Sequence, residues 1–336
     1  MKPPARLILR APNWLGDAVM AIPALDAVRR AYPDTTMVLA ARAPVAPLFE
    51  EETAVRPDEI LVVDAARETA QLRLARADAI LLMPNSFGSA WNASRAGIAE
   101  RWGFRASGRG WMLTRGVRRP RGRVHQIEYY LALVRGLGVD APSALPRLIA
   151  RADSLGQAEA LLRRHGAADA APLVGFAPGA AYGRAKRWPP ERVAAVIAGL
   201  GRQGATAVLV GAAADRDTAR AIESSLPAGT RPVNLVGRTS LRQLVGVIAR
   251  CAAFVSNDSG AMHVAAALGV PLTAIFGPTD ERVTAPGGPA DLIVRDVFCR
   301  PCLLRECPID HRCMKRIDVD SVYASVSGHL ARGAGR

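Results

Sequence analysis

Residues 255–263 read Val-Ser-Asn-Asp-Ser-Gly-Ala-Met-His, and small and polar residues there join a short apolar run to a longer one. The pattern predicts a strand over 252–255, a turn over 256–260 and a helix that stops at Gly269 and Pro271. The first backbone N–H groups of a helix have no partner within it, so they can bind an anion. An ordinary capped helix without a ligand fits the same residues.

A second segment of the same half has a similar character. Pro178-Gly179 follows another predicted strand, over 173–176, and Lys-Arg-Trp-Pro at 186–189 then supplies a lone lysine. Two loops that attract anions in one half of a chain suggest a diphosphate ligand.

Apolar runs with strand character alternate with helix-period stretches such as 18–32, and this alternation predicts an α/β protein with parallel sheets. The runs form two series, 7–10, 36–40, 59–63 and 79–83, then 173–176, 206–210, 233–236, 252–255, 272–276 and 291–294. We therefore predict two Rossmann-like domains that face a central cleft, with 1–155 in the first and 156–336 in the second. The hinge is expected within 140–170, and the last helix is a candidate to pack back on the first domain.

Composition and missing motifs narrow the function classes. The chain has 336 residues, and half of them are hydrophobic, which predicts a globular protein. This length exceeds the usual size of a single domain with one core. It lacks Gly-x-Gly-x-x-Gly after the first strand of either half and has no P-loop, which argues against a dehydrogenase and a P-loop NTPase. No apolar run reaches the roughly 20 residues of a membrane helix, so we expect a cytoplasmic protein.

The net charge is +14, and one segment without any acidic residue is especially basic. Its arginines are Arg101, Arg105, Arg109, Arg115, Arg118, Arg119, Arg121 and Arg123. A solvated basic loop is one interpretation and an anionic lipid headgroup is another. Nucleic acid is not expected as a partner, because no aromatic-interleaved or zinc-finger pattern accompanies the arginines. Arginine forks could dock an anionic substrate and hold the chain at the inner face of the cytoplasmic membrane.

Five motifs in their order along the chain resemble the ADP-heptose:lipopolysaccharide heptosyltransferases of glycosyltransferase family 9, most closely the heptosyltransferase II group. They are Asn-Trp-Leu-Gly-Asp at 13–17, Pro-Asn-Ser-Phe at 84–87, Pro-Gly-Ala at 178–180, Lys-Arg-Trp-Pro at 186–189 and Asn-Asp-Ser-Gly-Ala-Met-His at 257–263. The resemblance spans residues 6 to about 325. It implies the GT-B fold, with the nucleotide sugar held by the C-terminal half and the acceptor presented by the N-terminal half.

The resemblance also implies a reaction, the inverting transfer of L-glycero-D-manno-heptose from its ADP donor to the inner-core heptose of heptosyl-Kdo2-lipid A. Heptosyltransferase I, which acts on Kdo2-lipid A, and a relative with another acceptor remain alternatives. A polyanion-binding protein with inactive Rossmann-like halves is an alternative from another class. The oligomeric state is left open.

Asp17 is the candidate general base, as the matching Asp of the family is, and helix capping is its simpler interpretation. Asn13 and Trp14 are expected to shape the acceptor side beside it. Asn85 and Ser86, at the next strand end, supply groups that bind sugar hydroxyls. Arg101 is a further acceptor-binding candidate from the basic segment.

Lys186 is the candidate to neutralise the charge that develops on the ADP leaving group, with N–H dipoles around Ser259 and Gly260. Asp258 is expected to cap its helix or to orient its neighbours. His263 either donates to a phosphate oxygen or packs within the core. Asp215 either binds the ribose or caps a helix. Thr239 and Ser240 are expected to form a helix cap that faces the nucleotide. The remaining donor-side candidates are Pro178, Gly179 and Met262.

No cofactor and no catalytic metal are expected. Asp-x-Asp occurs at 215–217 and at 318–320, but GT-B enzymes generally stabilise the diphosphate with protein groups. The cysteines at 299, 302, 307 and 313 leave two interpretations open: a zinc site, in which His311 could replace one of the cysteine ligands, or a loop held by thiol packing. Cys251 is most simply a small core residue.

Overall fold

The computed structural model describes residues 3–167 and 171–333. Contacts divide the chain into two compact units, Met1–Ile149 and Ala150–Arg336. The sequence-based boundary at 155/156 lies a few residues further along, inside the first helix of the second unit, Ala152–Arg164.

The first unit is built on a six-stranded parallel sheet in the order β3-β2-β1-β4-β5-β6. Its strands are β1 (Arg6–Arg10), β2 (Thr36–Arg42), β3 (Glu59–Val63), β4 (Ala79–Leu82), β5 (Glu100–Phe104) and β6 (Arg115–Val117). Its helices are α1 (Leu15–Ala31), α2 (Glu68–Leu74), α3 (Phe87–Arg95) and α4 (Gln126–Gly136). The strand order reverses between β1 and β4, and loops that follow strands at such a point are the usual ligand sites of open α/β sheets.

The second unit repeats this order, with a six-stranded parallel sheet β12-β11-β10-β7-β8-β9. Its strands are β7 (Leu173–Ala177), β8 (Thr206–Leu209), β9 (Val233–Asn234), β10 (Ala253–Asn257), β11 (Leu272–Phe276) and β12 (Asp291–Val294). Its helices are α5 (Ala152–Arg164), α6 (Pro190–Arg202), α7 (Arg216–Ser224), α8 (Leu241–Ala249), α9 (Gly260–Ala267), α10 (Glu281–Thr284), α11 (Arg312–Lys315) and α12 (Val319–Gly333). The reversal here lies between β7 and β10, which carry the two loops predicted to bind a diphosphate.

The two sheets explain the near-continuous apolar runs of the sequence. Every residue of β4 and of β10 is buried, as expected for parallel strands covered by helices on both faces. In the second unit α12 packs on α6 and on the strands β10 and β11. The prediction of two parallel-sheet α/β domains is thereby confirmed. Among the described residues, no helix is both long and apolar enough to cross a membrane.

Some predicted elements differ from the structure. The sequence did not predict β5 and β6, because their arginines mask the apolar alternation of an edge region. The predicted turn at 256–260 is too early, since β10 continues through Asn257 and α9 begins at Gly260. The predicted end of that helix is confirmed, and Gly269 adopts the positive φ of +74° expected just beyond a helix.

Candidate functional site

Asp17 lies in the first turn of α1, just after β1 at the carboxyl edge of the first sheet. The N-cap of α1 is Trp14, and Asp17 stands three residues after it. The preceding loop is anchored from below by the buried Arg10, which bonds Glu68 Oε1 at 2.6 Å and donates to Asn13 Oδ1 at 2.8 Å. These contacts hold the backbone of the loop that leads to Asp17.

The Tyr130 hydroxyl donates a hydrogen bond to Oδ1 of Asp17 over 3.3 Å. Tyr130 is buried on α4, and burial followed by the charge of Asp17 raises its pKa well above the usual value near 10. Tyr130 therefore stays protonated and is a permanent donor to the carboxylate.

The neighbouring residue of α4 holds the second acceptor-side loop. Asn85 Nδ2 donates to the hydroxyl of Tyr129 at 2.8 Å, and the rings of Tyr129 and Tyr130 meet edge-on at 5.9 Å. Two consecutive tyrosines thus tie Asn85 and Asp17 to one helix. Ser86 is the N-cap of α3, and its Oγ accepts from the backbone N–H of Ser89. The structure brings Asn13, Asp17, Asn85 and Ser86 to the same edge of the sheet, on the loops after β1 and β4.

Arg109 holds the loop that contains Asn85 by hydrogen bonds. It is fully buried and donates to the carbonyls of Pro84, Ser86 and Phe104 and to Ser89 Oγ. Burial lowers the pKa of its guanidinium to about 10. A Cβ at Gly103 would lie 3.0 Å from Nη2 of Arg109, so this glycine makes room for the arginine.

The basic segment 101–123 is not a single solvated loop, because part of it forms β5 and β6. Arg101 lies near the amino end of β5, where Nε donates to Met112 O at 2.6 Å and Nη1 to Ala99 O at 3.0 Å. Arg115 stacks over the ring of Trp102 at 5.1 Å. Arg101 is therefore a structural residue at the edge opposite Asn13 and Asn85, and we do not retain it as an acceptor-binding candidate. The exposed members are Arg105, Arg118, Arg119, Arg121 and Arg123.

In the second unit Lys186 and Asp258 form a nearly buried ion pair. Lys186 Nζ lies 2.7 Å from Asp258 Oδ2, and the hydroxyl of Thr279 donates to the same oxygen at 2.7 Å. The lysine also lies over the ring of Tyr182, 4.8 Å from its centroid. Asp258 thus orients its neighbour, one of its two expected roles, and gives the ammonium group a fixed position.

The loops after β7 and β10 are joined by Asn257. Its Nδ2 donates to Pro178 O at 2.7 Å, next to Gly179. Two residues further, Ser259 is the N-cap of α9, which begins at Gly260, and the Ser259 hydroxyl bonds that of Ser256 at 3.0 Å. Pro178, Gly179, Lys186 and the N-terminus of α9 are therefore assembled at the point where the strand order reverses.

Three further donor-side candidates, Met262, His263 and Asp215, are buried. Met262 is fully buried and His263 almost fully, both in the first turns of α9. Asp215 accepts from Arg187 Nη2 and from the backbone N–H of Ala212, each at 3.1 Å. It also packs on Gly179, where a Cβ would come within 2.2 Å of the carboxyl carbon. Asp215 thus fixes the Gly179 loop.

Thr239 directly precedes a helix cap. Ser240 is the N-cap of α8, and it forms a capping box with Gln243. The predicted cap at this point is confirmed for Ser240, and Thr239 lies one residue outside it.

The cysteine-rich segment supports the loop that carries Lys186. Arg305 O accepts from the backbone N–H of Ala185 at 3.0 Å, and the Tyr182 hydroxyl donates to Leu303 O at 2.7 Å. Its four cysteines are free thiols. Within the described ranges, no group of three or more His, Cys, Asp or Glu side chains is placed to hold a metal ion.

Three of the four carboxylates of the two Asp-x-Asp sequences form ion pairs with arginines. These ion pairs are Asp215 with Arg187, Asp217 with Arg220, and Asp318 with Arg295. The sequence had given no sign of Tyr129, Tyr130, Tyr182 or Thr279, because none of them belongs to a recognisable motif and each acts through contacts distant in sequence. Arg109 had been noticed only as one arginine of the basic segment.

Two Rossmann-like units, each with polar loops at the carboxyl ends of its central strands, are the architecture of the GT-B class of glycosyltransferases. The model of glycosyltransferase family 9 (heptosyltransferase) matches residues 66–312, and the chain belongs to this family.

Relatives and a solved structure agree with this assignment. The chain is 32% identical to lipooligosaccharide heptosyltransferase 2 of Haemophilus ducreyi, over 86% of this chain and 88% of the relative. It is also 32% identical to lipopolysaccharide heptosyltransferase 2 of Escherichia coli, over 84% and 85%. The structure of E. coli ADP-heptose lps heptosyltransferase II superposes with a TM-score of 0.84 at 28% identity, covering 98% of this chain and 99% of the other.

Proposed function

We propose that this protein transfers L-glycero-D-manno-heptose from ADP-heptose to the inner-core heptose of heptosyl-Kdo2-lipid A. Support comes from the relatives, both named heptosyltransferase 2, and from the similar solved ADP-heptose enzyme. The observation that carries the proposal is the Lys186–Asp258 pair beside the N-terminus of α9 and the Pro178-Gly179 loop. A lysine and helix N–H groups together suit a diphosphate.

On the donor side, Lys186 follows the negative charge as it develops on the departing ADP. Asp258 and Thr279 keep the ammonium in place before the donor binds, so little reorganisation is needed in the transition state. The N–H groups at Gly260 add fixed dipoles to the same phosphates, and His263 lies one turn into the same helix. Asp215 and Thr239 are retained as candidates for the ribose side.

On the acceptor side, Asp17 acts as general base. The acceptor hydroxyl oxygen forms a bond to the anomeric carbon of heptose while the bond from that carbon to the diphosphate oxygen breaks. The hydroxyl proton passes to the Asp17 carboxylate, and ADP leaves with the bonding electron pair. One displacement of this kind inverts the anomeric configuration. Asn13, Trp14, Asn85 and Ser86 position the acceptor sugar.

The proposed reaction needs no divalent metal, because Lys186 and the α9 N–H groups provide the charge stabilisation. We also propose that the chain works at the inner face of the cytoplasmic membrane, since its acceptor is an anionic lipid.

The test is release of ADP from ADP-heptose with each of two acceptors, with and without EDTA. The proposal predicts release with heptosyl-Kdo2-lipid A, little with Kdo2-lipid A, and no effect of EDTA. Release only with Kdo2-lipid A would make the chain a heptosyltransferase I. Binding of anions without release of ADP under any condition would favour the polyanion-binding alternative, and loss of activity with EDTA would overturn the metal-free mechanism.

A further inference from the structure

Helix α3 turns aromatic side chains to the solvent. Its buried residues are small, Ser89, Ala90 and Ala93, whereas Phe87 and Trp91 are 44% and 43% exposed. Surface helices of globular proteins usually place their large apolar residues inward and their polar residues outward. The packing of this helix therefore does not account for its two aromatic residues.

The aromatic residues form an ordered surface. The rings of Phe87 and Trp91 stack with centroids 6.1 Å apart and an interplanar angle of 20°, and the guanidinium of Arg95 lies over Trp91 at 5.8 Å. The short helical turn Gly110–Met112 packs against α3 and carries Trp111, which is 71% exposed. We call Phe87, Trp91, Arg95 and Trp111 the aromatic face.

The segment that contains the aromatic face is strongly basic. Between residues 84 and 127 the sequence contains a single acidic residue, Glu100, and the hydroxyl of Thr114 and the indole N–H of Trp102 both donate to its carboxylate. The exposed arginines of the same stretch are Arg95, Arg105, Arg118, Arg119, Arg121 and Arg123. Exposed tryptophans among arginines are the composition of segments that lie in the headgroup region of a membrane.

We propose that the aromatic face is the surface by which this protein docks on a bilayer that contains anionic lipids. Trp91, Trp111 and Phe87 insert at the level of the headgroups, and Arg95 with the exposed arginines contacts lipid phosphates. Single-stranded nucleic acid also binds aromatic and basic surfaces, but it stacks its bases on open ring faces. Here Phe87 covers one side of Trp91 and Arg95 lies over its ring, so the bilayer is the better partner.

The docking surface adjoins the proposed acceptor loop, because Phe87 directly follows Asn85 and Ser86. This part of the inference rests on the proposed function: a docked α3 would hold the loop at the membrane surface, where a lipid-linked acceptor lies. Binding to vesicles is measured without donor or acceptor, so its failure is distinguishable from a failure of the transfer reaction.

The experiment is sedimentation with sucrose-loaded vesicles of phosphatidylcholine, with and without phosphatidylglycerol. The variants are Trp91→Ser/Trp111→Ser and Arg95→Glu, and the matched control is Phe298→Ser, at a residue of the second unit that is 79% exposed. Circular dichroism and thermal melting check each fold.

We expect the double variant to partition onto anionic vesicles at least about tenfold more weakly than the wild type. Arg95→Glu should lose binding to anionic vesicles while its weak binding to neutral ones stays unchanged, and Phe298→Ser should bind normally. If the double variant does not fold, Arg95→Glu alone decides the matter.

Three results would overturn the inference. They are unchanged vesicle binding in the aromatic and Arg95 variants, an equal loss in Phe298→Ser, and binding of a single-stranded oligonucleotide that competes with vesicles and depends on Trp91 and Trp111. A supporting result in the transfer assay would be a rise in KM for acceptor embedded in vesicles, with no change in KM for a water-soluble, deacylated acceptor.

Discussion

Tyr130 donates a hydrogen bond to the carboxylate of Asp17, and Tyr129, the residue before it on α4, accepts one from Asn85. The proposed base and the loop proposed to hold the acceptor are therefore positioned by the same helix. A shift of α4 would move both at once, so residues far from the reacting atoms are expected to influence turnover.

Replacing Asp17 by Asn should lower kcat by about 10²- to 10⁴-fold, because the amide cannot take the proton of the acceptor hydroxyl. The thermal midpoint should change little, since the side chain is partly exposed and keeps its shape. The measurement is the rate of acceptor-dependent ADP release by the folded variant. Activity within a few-fold of the wild type would remove Asp17 as the base.

Tyr130→Phe is the companion variant, because it removes one hydrogen bond to Asp17 and keeps the ring. We expect kcat to fall by about tenfold or less, the value of one such bond. The raised pKa of Tyr130 keeps it protonated through neutral and moderately alkaline pH. The alkaline limb of the pH profile should therefore be the same in wild type and variant, and a shift of that limb would show that Tyr130 titrates in the working range.

Lys186→Met should weaken ADP binding by about 10- to 100-fold, because a charge-assisted hydrogen bond contributes about 1.5–3 kcal/mol. Titration calorimetry with ADP measures this directly. Arg184→Met is the matched control, since this exposed arginine lies two residues earlier on the same loop. An equal loss in both variants would mean that the charge of the loop, and not the position of Lys186, binds the diphosphate.

Arg109→Met should reduce the free energy of unfolding by about 2–4 kcal/mol, because it leaves the buried carbonyls of Pro84 and Phe104 without their donor. The loop that contains Asn85 loses the hydrogen bonds from Arg109, so KM for the acceptor should also rise. Urea denaturation gives the first value and initial rates give the second. The exposed Arg118→Met should change stability by less than about 0.5 kcal/mol, and an equally small effect at Arg109 would contradict its structural role.

The thiols should differ in reactivity. Burial raises the pKa of Cys251 to about 12 and also raises that of Cys313, so neither forms much thiolate at pH 8. Cys299, Cys302 and Cys307 are partly exposed. Iodoacetamide at pH 8, followed by peptide mass spectrometry, should modify these three in the native protein and reach Cys251 and Cys313 only after unfolding. Fast native labelling of Cys251 would contradict its burial.

The sequence predicts the architecture well where the physical signal is local. Buried parallel strands such as 272–276 need continuous apolar runs, so they could be found from pattern alone. The glycine and polar residues at 256–260 also predicted a break between strand and helix, although the loop itself is only 258–259. The last two strands of the first sheet, β5 and β6, were not predicted, because arginines whose long stems pack against the domain resemble a solvated basic segment in the sequence.

The sequence predicted the motifs of the candidate site, but it did not predict the residues that hold those motifs in place. Asn13, Asp17, Asn85 and Lys186 stand in short segments that follow strands. Their partners come from elsewhere in the chain: Tyr130 lies 113 residues from Asp17, and Asp258 lies 72 residues from Lys186. Contacts over such separations depend on the assembled sheet. The misassigned Arg101 shows the same limit, because the edge of the sheet on which a residue falls is set by strands that the sequence did not reveal.

The most direct test of the account is the mass of the acceptor after incubation with ADP-heptose. The account predicts that heptosyl-Kdo2-lipid A gains the mass of one heptose residue with the wild type and gains none with folded Asp17→Asn. A heptosylated acceptor that stays unchanged with the wild-type protein, or one that gains the sugar equally well with Asp17→Asn, would contradict it.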